Sequence, residues 1–240
     1  MTNIYEEKEA LEIGEQLREK LRCKEYLEGN LYIGLRRSRN NIKAGCDSSN
    51  RAPENGFNSV TRVTEFEGIE AYLYVRDSID SARVSVEISR EYLTTMNISE
   101  QEVWSMAEKN TFAETIIKPI SVVLAEALGV FAPTEPDGDD IPLYVVSNPG
   151  GYRGAASILN TEALREFGES RKIRRWFVIP SSVNEMLIYP FSEEQSIDKL
   201  SAMVCEVNET EVLPVEQLAD RAYVWDCDCC RLLEYEEIRV

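Results

Sequence analysis

The spacing of apolar positions changes several times along the chain, and each change marks an element. Ile4, Leu11, Leu17 and Leu21 fall near one face of a helix over residues 3–23, with Glu and Lys opposite. LYIGLRRS (31–38) reads as a strand, whereas residues 40–60 are rich in Asn, Ser, Gly and Pro and predict a long loop or loose hairpin. Residues 69–77 place Ile69, Ala71, Leu73 and Val75 on alternate positions, and ARVSVEIS (82–89) alternates as well. The DSIDS between them predicts a turn, hence an antiparallel hairpin.

Downstream the period returns to helical. Ser99 followed by Glu102 is a capping box, and Ile98 can staple onto Val103, so a helix is predicted over 97–111. Pro119 interrupts the pattern, and a second helix over about 119–129 ends at Gly129. APTEPDGDDIP (132–142) reads as a linker or an internal loop; its DGDD lacks the spacing and terminal Glu of a calcium loop. Strands at 142–147 and 155–159 follow, then a helix over 161–169 capped by Asn160. Two strands, 174–180 and 184–191, meet at Ser181-Ser182. A helix over 196–208 carries Ile197, Leu200, Val204 and Val207 on one face, a helical turn is expected at 214–220, and RAYVWDC with CRLLEYEEIRV closes the chain as a hairpin. Strands that alternate irregularly with helices predict an α+β fold with a mixed, mostly antiparallel sheet and packed helices. Residues 1–80 read as an N-terminal helix and strands, ahead of an α+β domain over 82–240.

Composition narrows the function. At 240 residues with 43% hydrophobic and 29% charged residues, the chain can bury a proper core. No apolar run approaches the roughly 20 residues that cross a bilayer, and the acidic start lacks the apolar segment of a signal peptide. The expectation is a cytoplasmic protein with reduced thiols and no membrane partner. Histidine is absent, which excludes Ser-His-Asp and Cys-His catalysis, His-ligated zinc and a histidine switch.

The formal charge of −17 is uneven: residues 101–150 hold 2 Lys+Arg against 8 Asp+Glu, and 201–240 hold 3 against 10. Such a surface repels nucleic-acid backbones, so direct nucleic-acid binding is not expected; the charge reads either as a solubilising surface or as one that meets a partner with a basic surface. Cys227, Cys229 and Cys230 sit in a CDCC run. They read either as thiols on a late strand or as a soft-metal site, although no second knuckle accompanies them. Arg36, Arg37 and Arg39, and Arg171, Lys172, Arg174 and Arg175, could build an anion site with Arg153 or complement helix ends and sheet edges.

The SNPGGYRG run (147–154) could cradle a phosphate or make a turn. Gly151-x-x-Gly154 is followed by AASIL, read as a strand, with no Walker Lys-Ser/Thr, so the glycines suit turn geometry and no cofactor is expected. A polar pocket remains conceivable if the two loops lie side by side. It would be lined by Asn148, Tyr152, Arg153, Ser181, Ser182, Asn184 and Glu185, with Glu185 the nearby carboxylate base.

Three blocks in order carry a resemblance: LYVVSNPGGYRGAASIL (143–159), WFVIPSSVNEMLI (176–188) and MVCEVNETEVLPVEQLADRAY (203–223), with NISEQEVWSMAEKNT (97–111) upstream. The chain over about 82–226 resembles a family of uncharacterised proteins, a domain of unknown function, from gut clostridia and related Gram-positive anaerobes. Members of that family often lie near mobile elements. Asn184 stands where the family's Ser-Ser-x-His-Glu segment has His, and the first 80 residues look unlike the family's longer N-terminal region. The resemblance implies no activity. The leading expectation is therefore a non-enzymatic protein-interaction module, in its sharpest form an acidic inhibitor of a nucleic-acid-binding defence protein. The alternative is a small-ligand binder or histidine-free enzyme using the polar loops.

Overall fold

The computed structural model describes residues 3–38, 58–79, 82–131 and 142–238. The side chains of residues 3–11 and of Glu236, most of the 40–60 loop, Arg39, the last two residues of DSIDS and the 132–141 linker lie outside the described residues. The described residues fall into two compact units, one of 3–33, 58–61, 72–79 and 82–111, the other of 34–38, 62–71, 112–131 and 142–238.

The first half of the chain runs α1 (Asn3–Lys20), α2 (Lys24–Asn30), β1 (Leu31–Arg37), β2 (Thr61–Val63), β3 (Ile69–Ile79), β4 (Ala82–Glu87), α3 (Arg90–Met96) and α4 (Glu100–Ala113). A four-stranded sheet has the order β1-β3-β2, with β4 antiparallel to β3 as the alternating patterns predict. The expected turn is shorter than DSIDS, because β3 continues through Ile79. Helix α3, absent from the sequence expectation, is capped by Ser89, whose Oγ accepts the Tyr92 N–H, and ends at Asn97 in the left-handed region (φ 53). The α4 start is as expected: the Ser99 hydroxyl accepts the Glu102 N–H at 3.2 Å, and Ile98 and Val103 are buried.

Polar pins hold the first unit in register. Buried Thr111 Oγ1 accepts the Ile33 N–H at 2.9 Å. Asp77 accepts from Lys20 Nζ at 2.8 Å and Tyr26 Oη at 2.7 Å. Burial opposes the Asp77 charge, but these donors outweigh it and hold the carboxyl below its usual range.

The second half continues with β5 (Ile116–Pro119), α5 (Ile120–Leu128), β6 (Tyr144–Ser147), a 3-10 helix (Gly154–Leu159), α6 (Thr161–Arg171), β7 (Arg175–Ser182), β8 (Glu185–Pro190), α7 (Ile197–Thr210), β9 (Tyr223–Asp226), β10 (Arg231–Leu232) and α8 (Tyr235–Ile238). The strands form a six-stranded sheet of order β10-β9-β7-β8-β6-β5, antiparallel at every pairing. The α+β class with mostly antiparallel pairing is thus as predicted. Pro180 sits inside central strand β7 beside a bulge. It is tolerated because β9 pairs only with Arg175–Val178, so no partner there needs a Pro180 N–H.

Four expectations are corrected. AASIL is not a strand but most of the 3-10 helix, so the glycine run does not close a hairpin. A strand would need an open sheet edge beside it, yet β6 already lies between β8 and β5. The expected helical turn at 214–220 is a set of turns without helix. There the Gln217 side chain donates to the carbonyls of Asn208 and Val212 (2.7 and 3.0 Å) and closes the end of α7. The last hairpin has only two residues in β10 before α8 begins. Finally, β5 was not read from the sequence; it pairs with β6 from Ile116 to Pro119.

Candidate functional site

The glycine run and the β7–β8 turn meet. The Asn148 side chain closes its own loop, donating to the Tyr152 carbonyl (2.9 Å) and accepting the Tyr152 N–H (3.3 Å). Asn184 ties the two loops: its Oδ1 accepts the Arg153 N–H at 3.0 Å, and its carbonyl accepts the Ser147 hydroxyl at 2.7 Å. The Asn184 N–H donates to Ser182 Oγ (3.1 Å), and Ser181 Oγ donates to Glu185 Oε1 (3.2 Å). Arg153 has φ 52 and Gly151 φ 57, so the run makes two left-handed steps. A Cβ on Gly154 would fall 2.2 Å from Ser147 Oγ and 2.7 Å from the Asn184 carbonyl. That close approach is why glycine stands there.

All seven expected pocket residues are therefore in one neighbourhood, joined by these hydrogen bonds, and Ser181 also lines an adjoining cleft. The Arg153 guanidinium lies 5.3 Å over the Tyr152 ring, and burial, with the charge of Arg36, lowers its pKa. The described residues of the basic clusters are largely paired: Arg36 with Glu70 at 2.6 Å, Arg37 with Asp220 at 2.5 Å, Arg175 with Asp226 at 3.0 Å, and Arg174 with Asp228. Arg171 lies 5.6 Å over both Tyr144 and Phe167.

The CDCC run is the turn between β9 and β10. Asp226 Oδ1 accepts the N–H groups of Asp228 and Cys229 at 2.9 and 3.1 Å. Burial opposes the Asp226 charge, but these amides and Arg175 outweigh it and keep the carboxyl below its usual range. Cys227 is buried beneath α6, and burial pushes its thiol up to about 11; Cys229 is exposed. Among the described residues no group of three or more Cys, Asp or Glu is arranged to hold a metal ion.

A cleft in the second unit adjoins the 181–185 loop at Ser181. Of about 750 Å³, it has Ile179 and Leu187 on its floor, Leu200, Met203 and Val207 along one wall and Ile120 at another. The register pairs Ile179 with Leu187, and Phe177 with Tyr189, so these four side chains share one sheet face. Helix α7 and α8 cover only part of that face, over Phe177, Ala222 and Val224. The Tyr189 phenol, pushed by burial up to about 12, also lines the cleft, and its hydroxyl has no hydrogen-bond partner among the described residues. Met203 and Val207 remain 56% and 42% exposed.

The sequence reading missed this cleft, although its signal was present. Met203 extends the predicted Leu200–Val204–Val207 stripe by one ridge. Ile120, Leu124 and Leu128 repeat at four-residue spacing on α5, and Leu124 and Leu128 are 55% and 75% exposed.

No curated protein and no solved structure matches the chain. A model of a family of unknown function (DUF5688) matches residues 68–227, from just before β3 through the buried Cys227, which is 160 of the 240 residues. With two thirds of its length matched, the chain belongs to this family of unknown function.

Proposed function

We propose that the chain is a non-enzymatic protein-interaction module that receives an apolar surface of a partner in the cleft between α7 and the six-stranded sheet. The observation that carries this reading is the cleft itself: about 750 Å³, open, and lined mostly by apolar side chains, with Met203 and Val207 of α7 among them still exposed. Apolar area of this kind is what interaction surfaces leave uncovered. The mutual hydrogen bonding of the 148–154 and 181–185 loops supports the same conclusion, because those groups already have partners inside the fold. The charge of −17 favours a partner with a basic surface, met without nucleic acid and in the cytoplasm. An inhibitor of a nucleic-acid-binding defence protein is a narrower form of this reading, and it rests on that charge alone.

The test is affinity capture from native, reducing lysate, comparing the wild type with Met203→Lys/Val207→Lys. One stoichiometric partner, held by the wild type and lost by the variant and at raised salt, is expected. A partner held equally by both would refute the cleft as the site. A second reading places a small ligand at the polar loops, because they adjoin and carry the part-buried Arg153 guanidinium. A ligand screen in which Arg153→Met abolishes a thermal shift would favour it.

A further inference from the structure

Resting on the reading of the cleft as a docking site, we propose that its occupant is a basic amphipathic helix of a partner protein. Its apolar face would lie in the cleft, with a lysine or arginine near each end. Two features of the cleft select this chemistry over the others.

The first is charge. Glu194 is the one charged side chain among the described residues lining the cleft. Glu193 lies beside it before the N-terminus of α7, and Glu211 lies just past the C-terminus. Glu211 also continues the cleft-facing stripe, because Leu200, Val204, Val207 and Glu211 are separated by four, three and four residues. None of these three carboxylates has an ion-pair partner among the described residues; of the cations on the adjoining elements, Lys118 is engaged by Glu126 at 2.7 Å, and Lys199 of α7 is outnumbered by the acids of that helix and its flanks. Helix α7, one wall of the cleft, is therefore flanked by acid at both ends. That field repels a fatty-acid carboxylate, and it sets acid against acid if a second copy of this chain, with charge −17, is the occupant. A cationic segment is attracted to both ends.

The second is length and period. The 14 residues of α7 span about 21 Å at the α-helical rise. The apolar side chains along it, and along α5, recur at three- and four-residue spacing, the ridges into which another helix packs. A partner helix of about four turns matches the length of α7, and its anchors would recur at the same spacing.

Fluorescence anisotropy on the full chain tests this. The probe is a labelled 16-residue peptide with leucines at helical spacing in the middle and lysines at both ends. Expected is saturable binding that weakens with salt, falls about tenfold or more for Met203→Gln/Val207→Asn, and falls a few-fold with a flatter salt dependence for Glu194→Gln/Glu211→Gln. Melting temperature and circular dichroism verify that the variants fold. Equal binding of a scrambled peptide of the same composition would overturn the proposal, because charge alone would then suffice. So would tighter binding of a peptide with glutamates in place of the lysines, or self-association of the chain that these variants abolish. If none of the peptides binds while partner capture still depends on Met203 and Val207, the basic helix is refuted and the interaction reading stands. If neither depends on the cleft, both fall.

Discussion

The two faces of the six-stranded sheet are built from the same strands and end differently. One face carries Trp176, Val178, Met186, Ile188, Val146 and Trp225, each at most 2% exposed. Phe167 of α6 packs on it, 4.9 Å from Tyr144 and 5.6 Å from Trp176 between ring centroids. The other face carries Phe177, fully buried, but also Ile179, Leu187 and Tyr189, which α7 leaves half-covered. A strand buried on both faces is apolar at every position, and WFVI at 176–179 has that character although one face is only partly roofed. The lesson is that continuous apolarity in a strand reports what must leave water, and the cover need not belong to the same chain.

The strongest way to break this comparison is to truncate the closed face. Trp176→Ala should cost about 3–5 kcal/mol in urea unfolding, and Leu187→Ala on the open face clearly less, because water already reaches it. Equal losses would mean the open face is as well packed as the closed one. Next in size is Gly168→Ala on α6. Its Cβ would lie 2.6 Å from Cys227 Sγ and 2.8 Å from the Ile173 carbonyl. Despite alanine's helix-propensity advantage of about 1 kcal/mol, a net loss of about 1–3 kcal/mol is expected from the forced separation of α6 and sheet. Unchanged or raised stability would show that α6 is not seated tightly.

Asn184→Ala should cost about 1 kcal/mol, since it strands the Arg153 N–H while the backbone bonds of the turn survive. A tenfold larger effect on ligand binding than on stability would move the functional site to the polar loops. Cys227 offers a pH test. Its folded thiol is raised by burial from 9.0 to about 11, so the stabilisation from keeping it neutral is fully present below pH 9 and is lost as pH rises toward 11. Mass-resolved alkylation at pH 8 should therefore label Cys229 and spare Cys227 until the protein is unfolded. The smallest stability effect belongs to the open face: Met203→Gln, at a 56% exposed site, should change unfolding free energy by no more than about 0.5 kcal/mol while weakening peptide binding.

Much of the local structure was legible because its signals are short-range. The Ser99–Glu102 start, the Asn160 cap, which accepts the Ala163 N–H at 3.1 Å, and the Gly129 stop (φ 65) depend on residues three or four apart. The β3–β4 hairpin follows from two adjacent alternating runs. Where a distant partner decides the conformation, the pattern misled. Ala155, Ala156 and Ile158 are apolar because they are fully buried, and short apolar runs do not distinguish a strand from a tight helix. The same holds for the site. Proximity of the 148–154 and 181–185 loops was legible as a possibility of topology, but not that Asn184 would join them through both its side chain and its carbonyl.

By itself, then, the sequence determined the α+β class, most helices and strands, the absence of histidine chemistry and the net charge of −17, since all of these follow from composition and from neighbours within a few positions. Only the tertiary structure decided that AASIL is a 3-10 helix, that the polar loops bond to one another, and that the stripe on α7 lines an open apolar cleft. Those outcomes depend on which surfaces meet across scores of residues, and burial there is set by the packing of whole elements rather than by any local run of side chains.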